Sequence, residues 1–385
     1  MSIMTRKGAA GRAERVARET ESPMTGKSLR VGVLGVGFGS VVHIPAFRSE
    51  GWEVAGVWSR RRERAEERAA EHGIDAVHDD WRELVEREDV DAIAVTTPPG
   101  PHHEMSMTVL RAGKHLLCEK PFALNATEAA EMRDASASTG LTAMVAHEFR
   151  FTPQRTRISE LIDEGYIGEP QVAAVQLMMG RPAGNSPPPM GWGSRAAEGG
   201  GLLGALGSHY IDGLRHWFGD VVSVSGQVAT LRPDRLDGET DRIVQADSDD
   251  TFSFTLAFSR GVMATMTASS VVTPSQGARI LLTGTDGVLL ATQPGPNPEQ
   301  SGIVLGGKKN DRSLEELPMP DRLTPFEDER DGRLVSFRLL VREFERGIRE
   351  GTPSPAPSFE DGWRCQQVLD AVRESSRTGV RVDIE

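Results

Sequence analysis

Five apolar runs separated by helical stretches constrain this chain more than any other feature. LRVGVLGVGFGS opens at Leu29, and VVHIPAFRSE then begins a helix. WEVAGVWSR is followed by the charged RRERAEERAAEHG, and DAIAVTTPP by HHEMSMTVLRAG. KHLLCEKP is followed by ATEAAEMRDASASTG, and TAMVAHEF closes the series. Strand and helix alternating in this way predict parallel βαβ units and a doubly wound sheet. At 385 residues the chain is too long for one core, because single cores stop growing near about 250 to 300 residues. A second domain and a cleft between the two are therefore expected.

The first strand breaks into Gly35, Gly37 and Gly39, followed by Ser40. Glycines at a strand-to-helix turn let the backbone bend tightly and approach a pyrophosphate, whose charge the free N–H groups of the helix start favour. Ser40 stands where a third glycine or an alanine is usual and is small enough for close packing. An NAD site normally offers an acid to the ribose about 20 residues on. Here the second strand ends in Ser59-Arg60-Arg61-Arg62 with no acid at its tip. Ser59 is a candidate N-cap, which places three arginines in the next first turn, against the helix dipole. A 2′-phosphate would compensate that charge, so NADP is favoured over NAD; a solvated charged helix is the alternative.

After Glu169 the runs lengthen: QVAAVQLMM, VVSVSGQVATL, TFSFTLAFSRGVMATMTASSVV and ARILLTGTDGVLLAT. Ser259-Arg260-Gly261 and Asp286-Gly287 read as hairpin turns, so this half predicts an antiparallel sheet. Its second face needs cover, which makes dimerisation an expectation. Residues 181–201, rich in proline and glycine, form a long stretch without regular pattern and read as a loop over the cleft. LVSFRLLVREFERGIREG has helical amphipathic spacing, and FEDGWRCQQVLDAVRESSRTG makes a closing helix.

Other classes are excluded on composition. The formal charge of −12 opposes nonspecific nucleic-acid binding, and no apolar run reaches the roughly 18 residues of a membrane span. The first 28 residues are polar, carry no apolar core of a secretory signal, and read as a disordered extension. Two distant cysteines, Cys118 and Cys365, indicate neither a disulfide framework nor a zinc site and suit a reducing cytoplasm.

VGVLGVGFGSVVHIPAF, TTPPGPHHEM, AGKHLLCEKPFA, the FRF of HEFRF, GGG with GSHYID, and FEDGWRCQQVLDAV occur in this order. Together they resemble the glucose-fructose oxidoreductase, inositol dehydrogenase and rhizopine-catabolism (Gfo/Idh/MocA) family. The resemblance implies a Rossmann domain over 29–149 and a C-terminal α/β domain over 150–385 with a large, mostly antiparallel open sheet. It also implies hydride exchange with a carbinol or carbonyl carbon of a sugar or cyclitol, and dimers or tetramers built through the sheet. Cofactor contacts are expected from the glycines and Phe38, from Ser59, Arg60 and Arg61, from Thr97, Pro98 and His102, and from Glu119 and Lys120.

Lys120 of Glu119-Lys120-Pro121 is implied to lie beside the reacting oxygen, and His209 to act as general acid or base. Four residues before His209 the family has an aspartate, and here stands Ala205. Asp212, one helical turn beyond His209, is a candidate for that role or for a structural contact. Glu148 and Arg150 fall where family members face substrate. Arg150 suits a hydroxyl-rich or anionic ligand or a domain-linking ion pair, and Glu148 would tune specificity. Trp192 and Arg195 match a tryptophan–arginine element of the cleft loop. Two other functions stay open: an NAD(P)-binding sensor or subunit without turnover, which Ala205 favours, and a redox-neutral bond cleavage with a tightly held cofactor.

Overall fold

The computed structural model of the chain describes residues 27–180, 186–295, 302–351 and 354–384. The expected extension lies, up to residue 26, outside the described residues, as do 181–185 of the cleft loop. The first half builds the expected parallel sheet. Its strands are β1 (Arg30–Leu34), β2 (Glu53–Trp58), β3 (Ala92–Val95), β4 (His115–Cys118) and β5 (Ala143–Val145), in the order β2-β1-β3-β4-β5. Every pairing within it is parallel. Val31, Val33, Ala92, Ile93, Ala94, Leu116 and Leu117 are fully buried, the continuous apolar pattern of strands covered on both faces.

Helices α1 (Ile44–Ser49), α2 (Arg62–His72), α3 (Trp81–Glu86), α4 (His102–Arg111) and α5 (Ala126–Thr139) connect these strands. Local signals set their ends. The Asp80 carboxylate accepts from the N–H of Arg82 at the start of α3, Asn125 accepts from Glu128 at the start of α5, and Gly140 ends α5 in the left-handed region. The expected cap at Ser59 is absent: α2 starts at Arg62, after Arg61 in extended conformation and without a side-chain cap. Arg62 instead pairs with Glu66 (2.7 Å) and Asp79. The N-terminal turn is therefore tied by charge, and Arg60 and Arg61 precede the helix.

After α6 (Pro153–Asp163) the chain enters β6 (Pro170–Gly180), then α7 (Ser208–Phe218) and β7 (Val221–Ala229). A small hairpin of β8 (Asp234–Leu236) and β9 (Ile243–Gln245) follows, then β10 (Thr251–Phe258), β11 (Met263–Val272), β12 (Gly277–Gly284) and β13 (Gly287–Gln293). β14 (Ile303–Lys308), β15 (Glu315–Glu316), α8 (Leu334–Glu350), α9 (Phe359–Thr378) and β16 (Val382–Asp383) complete the order. The second sheet runs β15-β14-β13-β12-β6-β11-β10-β7-β16. It is antiparallel except where β6 meets β11. Phe252, Phe254, Leu256 and Phe258 alternate inward along β10 beside Ala173, Val175 and Leu177 of β6. They pack under Ile158 and Leu161 of α6, Ile211 and Leu214 of α7, and Val368 and Leu369 of α9. The alternating Val172, Gln176, Ser253, Met263 and Arg279 point away and are exposed. One face of this sheet is thus covered by helices and the other is not.

By number α8 belongs to the second half, yet its core is that of the first. Leu334, Phe337, Leu340, Val341 and Phe344 lie on one side of the helix and pack with Val31, Val33, Phe47 and Trp52. Trp52 Nε1 donates to Glu345 (2.9 Å), and Arg338 and Arg342 close on Glu50 (2.7 and 2.6 Å). The strand edge beyond β5 is covered as well, where Val145 donates to the Pro357 carbonyl (2.9 Å). Among the described residues no helix is long and apolar enough to cross a membrane.

Candidate active site

The turn after β1 shows three glycines in three different situations. Gly35 has φ +112°, and a Cβ there would come 2.8 Å from the carbonyl carbon of Thr96 at the end of β3. Gly39 starts the helical turn, and its Cβ would stand 2.5 Å from Thr96 Oγ1. Gly37 has open space where a side chain would project. That is the cradle a dinucleotide fold uses: one glycine for the bend, one leaving the backbone open to a pyrophosphate, one for strand–helix contact. Ser40 is buried and donates to the Val36 carbonyl (2.8 Å). Thr96, not marked by its sequence context, closes the cradle through Oγ1, which donates to the Gly35 carbonyl at 2.5 Å.

The expected contacts around this turn fall into two groups. Gly35 donates to the carbonyl of Trp58 (2.8 Å), which brings the tip of β2, with Ser59, Arg60 and Arg61, beside the turn. Arg60 and Arg61 are exposed and make no ion pair among the described residues. Phe38, by contrast, meets α8, with its ring 6.2 Å from that of Phe337 and the Arg333 guanidinium 5.1 Å above it. His102 is fully buried. Its Nε2 lies 2.9 Å from the Thr97 carbonyl and its Nδ1 3.1 Å from that of Pro121. It therefore latches the Thr97-Pro98 loop to the turn that carries Lys120, and burial holds it below the ordinary histidine range.

Glu119 and Lys120 follow β4. Burial alone would raise the Glu119 carboxyl, but the 2.8 Å contact with His43 Nε2 and the charge of Lys120 more than offset it, so it stays ionised. His43, reached from the π-helical turn Gly39–His43, thus ties the glycine turn to the lysine turn. Lys120 Nζ donates to the carbonyl of Ala205 (3.2 Å). That carbonyl belongs to a second π-helical turn, Leu203–Gly207, which runs directly into α7. The preceding glycines lie against the first half, since a Cβ on Gly199 would come 2.8 Å from Pro99.

His209 is the second residue of α7 and is buried. Burial first, then the charges of Lys120 and Arg155, hold its imidazole well below the ordinary histidine range. It is neutral at pH 7. Phe149 stacks on the ring at 3.8 Å and 11°, and His147 meets it edge-on at 5.4 Å and 77°. Glu148 Oε2 lies 3.8 Å from His209 Nε2.

Asp212 is not the partner of His209. Arg150 Nε donates to one of its oxygens and Nη2 to the other, both at 2.6 Å, and Nη2 also reaches Asp361 (2.9 Å). Spacing along α7 does put Asp212 near His209, but a bidentate guanidinium from another element binds a carboxylate more strongly than a neutral ring does. The same contacts move Arg150 from substrate ligand to ion pair between elements, leaving its Nε and Nη2 donors facing protein carboxylates. Trp192 is partly exposed in a short 3₁₀ turn, and Arg195 pairs with Glu198 (3.1 Å) at the surface. Neither shares a hydrogen bond, ion pair or ring contact with Lys120 or His209 among the described residues.

A dinucleotide cradle and a lysine on a parallel sheet, facing a neutral histidine carried by a second sheet domain, define an NAD-binding oxidoreductase. Residues 29–147 match the oxidoreductase family with an NAD-binding Rossmann fold, and residues 156–290 match the GFO/IDH/MocA C-terminal domain. The chain belongs to the Gfo/Idh/MocA family. It is 28% identical to an uncharacterised oxidoreductase of Synechocystis, over 92% of this chain and 95% of that one. It is 26% identical to the levoglucosan dehydrogenase of Pseudarthrobacter phenanthrenivorans, over 93% and 98%. The structure of a levoglucosan dehydrogenase in complex with NADH and L-sorbose shares the fold, with a TM-score of 0.84 at 24% identity, covering 94% of this chain and all of that one.

Proposed function

We propose that the chain is an NAD(P)-dependent dehydrogenase or reductase, favouring NADP, that acts on a hydroxyl or keto carbon of a sugar, cyclitol or related polyhydroxylated molecule. The nicotinamide, when bound, supplies the two-electron redox chemistry. The protein's part is to bind one oxygen and to move one proton. Lys120, brought to the mouth of α7 through the Ala205 carbonyl, polarises that oxygen and stabilises negative charge developing on it. His209, neutral at working pH, takes the proton of a hydroxyl or returns one to a carbonyl. The observation that carries this reading is the contact across the two halves of the chain, Lys120 Nζ on the Ala205 carbonyl (3.2 Å), in the turn that runs directly into the helix bearing His209.

The Lys120→Ala and His209→Ala substitutions test it. Each is expected to lower turnover about 10²-fold to 10⁴-fold while cofactor affinity, read by fluorescence titration, changes little. Unchanged turnover in both defeats the assignment. Ala205 favours a second reading, a cofactor-binding subunit without turnover; cofactor absorbance that stays constant across a panel of polyols and keto-sugars would establish it. We further propose a homodimer or homotetramer assembled through the uncovered face of the second sheet. A cytoplasmic location is proposed from the two buried, free thiols of Cys118 and Cys365.

A further inference from the structure

The neutral histidine lacks the acid that its own helix would be expected to provide. Position 205 is alanine, and its carbonyl is taken by Lys120. Asp212, the other acid on that helix face, has both oxygens on Arg150. The carboxylate that does face the ring comes from the segment after β5: Glu148 is only 2% exposed, with Oε2 at 3.8 Å from His209 Nε2.

We propose that Glu148 is the positioning carboxylate of His209, replacing from a different element the acid absent at position 205. The proposal rests on the oxidoreductase reading above. The 3.8 Å separation is longer than a direct hydrogen bond, so the carboxylate acts on the ring through its charge. When a substrate hydroxyl gives its proton to the ring, the O–H bond breaks and an N–H bond forms on His209, with the Glu148 carboxylate as the counter-charge of the imidazolium. The pair passes from neutral ring and carboxylate to imidazolium and carboxylate, an attraction that burial strengthens well beyond its value in water. The charges facing the ring are Lys120 and Arg155, which oppose its protonation; His147, itself held below the ordinary histidine range by burial, faces it as a neutral ring. Asp212, on its own helix, is matched by Arg150.

Three consecutive residues serve this geometry. Glu148 provides the charge, Phe149 stacks on the ring, and Arg150 binds Asp212 one helical turn further along α7. The segment that carries the carboxylate is thereby fixed to the helix that carries the base.

Glu148→Gln removes the charge and keeps the shape. It is expected to lower kcat about 10-fold to 100-fold with KM changed less than about 3-fold. Losing a nearby negative charge lowers the proton affinity of His209, so the acid limb of the kcat profile moves about one unit to lower pH. Adding Ala205→Asp to this variant is expected to return the limb and part of the rate. NMR of isotope-labelled histidine reads the same shift at the His209 ring without substrate. Should Glu148→Gln not fold, Glu148→Asp, which keeps the charge at greater distance, is expected to show a smaller shift of the same sign. An unmoved limb together with an unmoved ring titration overturns the proposal. A ring titration that moves in a protein turning over no polyol overturns the oxidoreductase reading and leaves the pair standing.

Discussion

The dinucleotide turn and the proton-handling centre are built on opposite plans. The turn is backbone from one short run, Leu34 to Ser40, closed by Thr96 and held to the tip of β2 through the Trp58 carbonyl. The centre is made of side chains from three separate stretches: Lys120 after β4, His147 to Arg150 after β5, and His209 with Asp212 on α7. A backbone site is specified by which residues have no side chain. A side-chain site is specified by what holds distant elements in register, and here that is the buried contact of Arg150 with Asp212 and Asp361.

Breaking that contact is the largest effect expected of a single substitution outside the reacting groups. Arg150→Met leaves the Asp212 carboxylate buried without its counter-charge, which costs about 3–5 kcal/mol and is read from the denaturation midpoint. The sign of its pH dependence is also set. Burial alone would raise Asp212 and Asp361; the Arg150 charge depresses both below the ordinary carboxylate range. In the native protein this stability is fully present above the unfolded value near about 4 and is lost as pH falls through the depressed values. In Arg150→Met burial dominates at Asp212 and its pKa rises above the unfolded one. The variant is then expected to lose stability between pH 5 and 8, where the native ion pair contributes no change. A flat variant over that window would show that Arg150 is not what holds Asp212 ionised.

The glycines separate fold from binding within the turn. Gly35→Ala places a Cβ on the Thr96 backbone at positive φ, for an expected loss of about 2–4 kcal/mol. Gly37→Ala meets nothing within 4 Å and is expected to change stability by less than about 1 kcal/mol while weakening dinucleotide affinity about tenfold. Equal effects of the two on melting temperature, or unchanged affinity in Gly37→Ala, would break the division of roles.

What the sequence made legible follows the same divide. The parallel strands were readable from their alternation with helices, and the glycine cradle because a bend at positive φ and a close strand–helix contact leave glycine as the residue that fits. The hairpins of β10–β11 and β12–β13 were readable from their turns. The amphipathic stretch at 334–350 was readable as a helix, but amphipathicity does not name the sheet it covers, and its packing on the first core arises from Phe337 and Phe344 meeting Trp52 and Phe47. At the centre, three-residue spacing on α7 suggested Asp212 for His209. Spacing reports only neighbours on one helix, and the guanidinium that captures Asp212 arrives from 62 residues away. Glu148 was visible as a polar residue after β5, though its facing the imidazole depends on the Phe149 stack, which no local pattern encodes. An N-cap at Ser59 was expected from capping preference, whereas the cap falls at Arg61 and α2 begins two residues later than expected, with Arg62 paired to Glu66 and Asp79.

That shift sharpens the smallest effect, cofactor choice. Arg60 and Arg61 stand before α2, exposed and without a carboxylate partner among the described residues, whereas Arg62 is already matched. Gly35 donates to the Trp58 carbonyl at 2.8 Å, so the two free guanidinium groups sit at the strand end where a ribose adjoins the glycine turn, and residues 58–61 include no acid to accept from a 2′-hydroxyl. An exposed guanidinium–phosphate contact contributes on the order of 1 kcal/mol and is screened by salt. Replacing both arginines by alanine is therefore expected to weaken NADP about tenfold at low ionic strength and NAD less than about twofold. The difference should shrink as salt is raised, because the guanidinium groups are in solvent. Equal weakening of both dinucleotides would mean that the arginines only shape the turn, and a difference insensitive to salt would place the 2′-phosphate contact on a buried group instead.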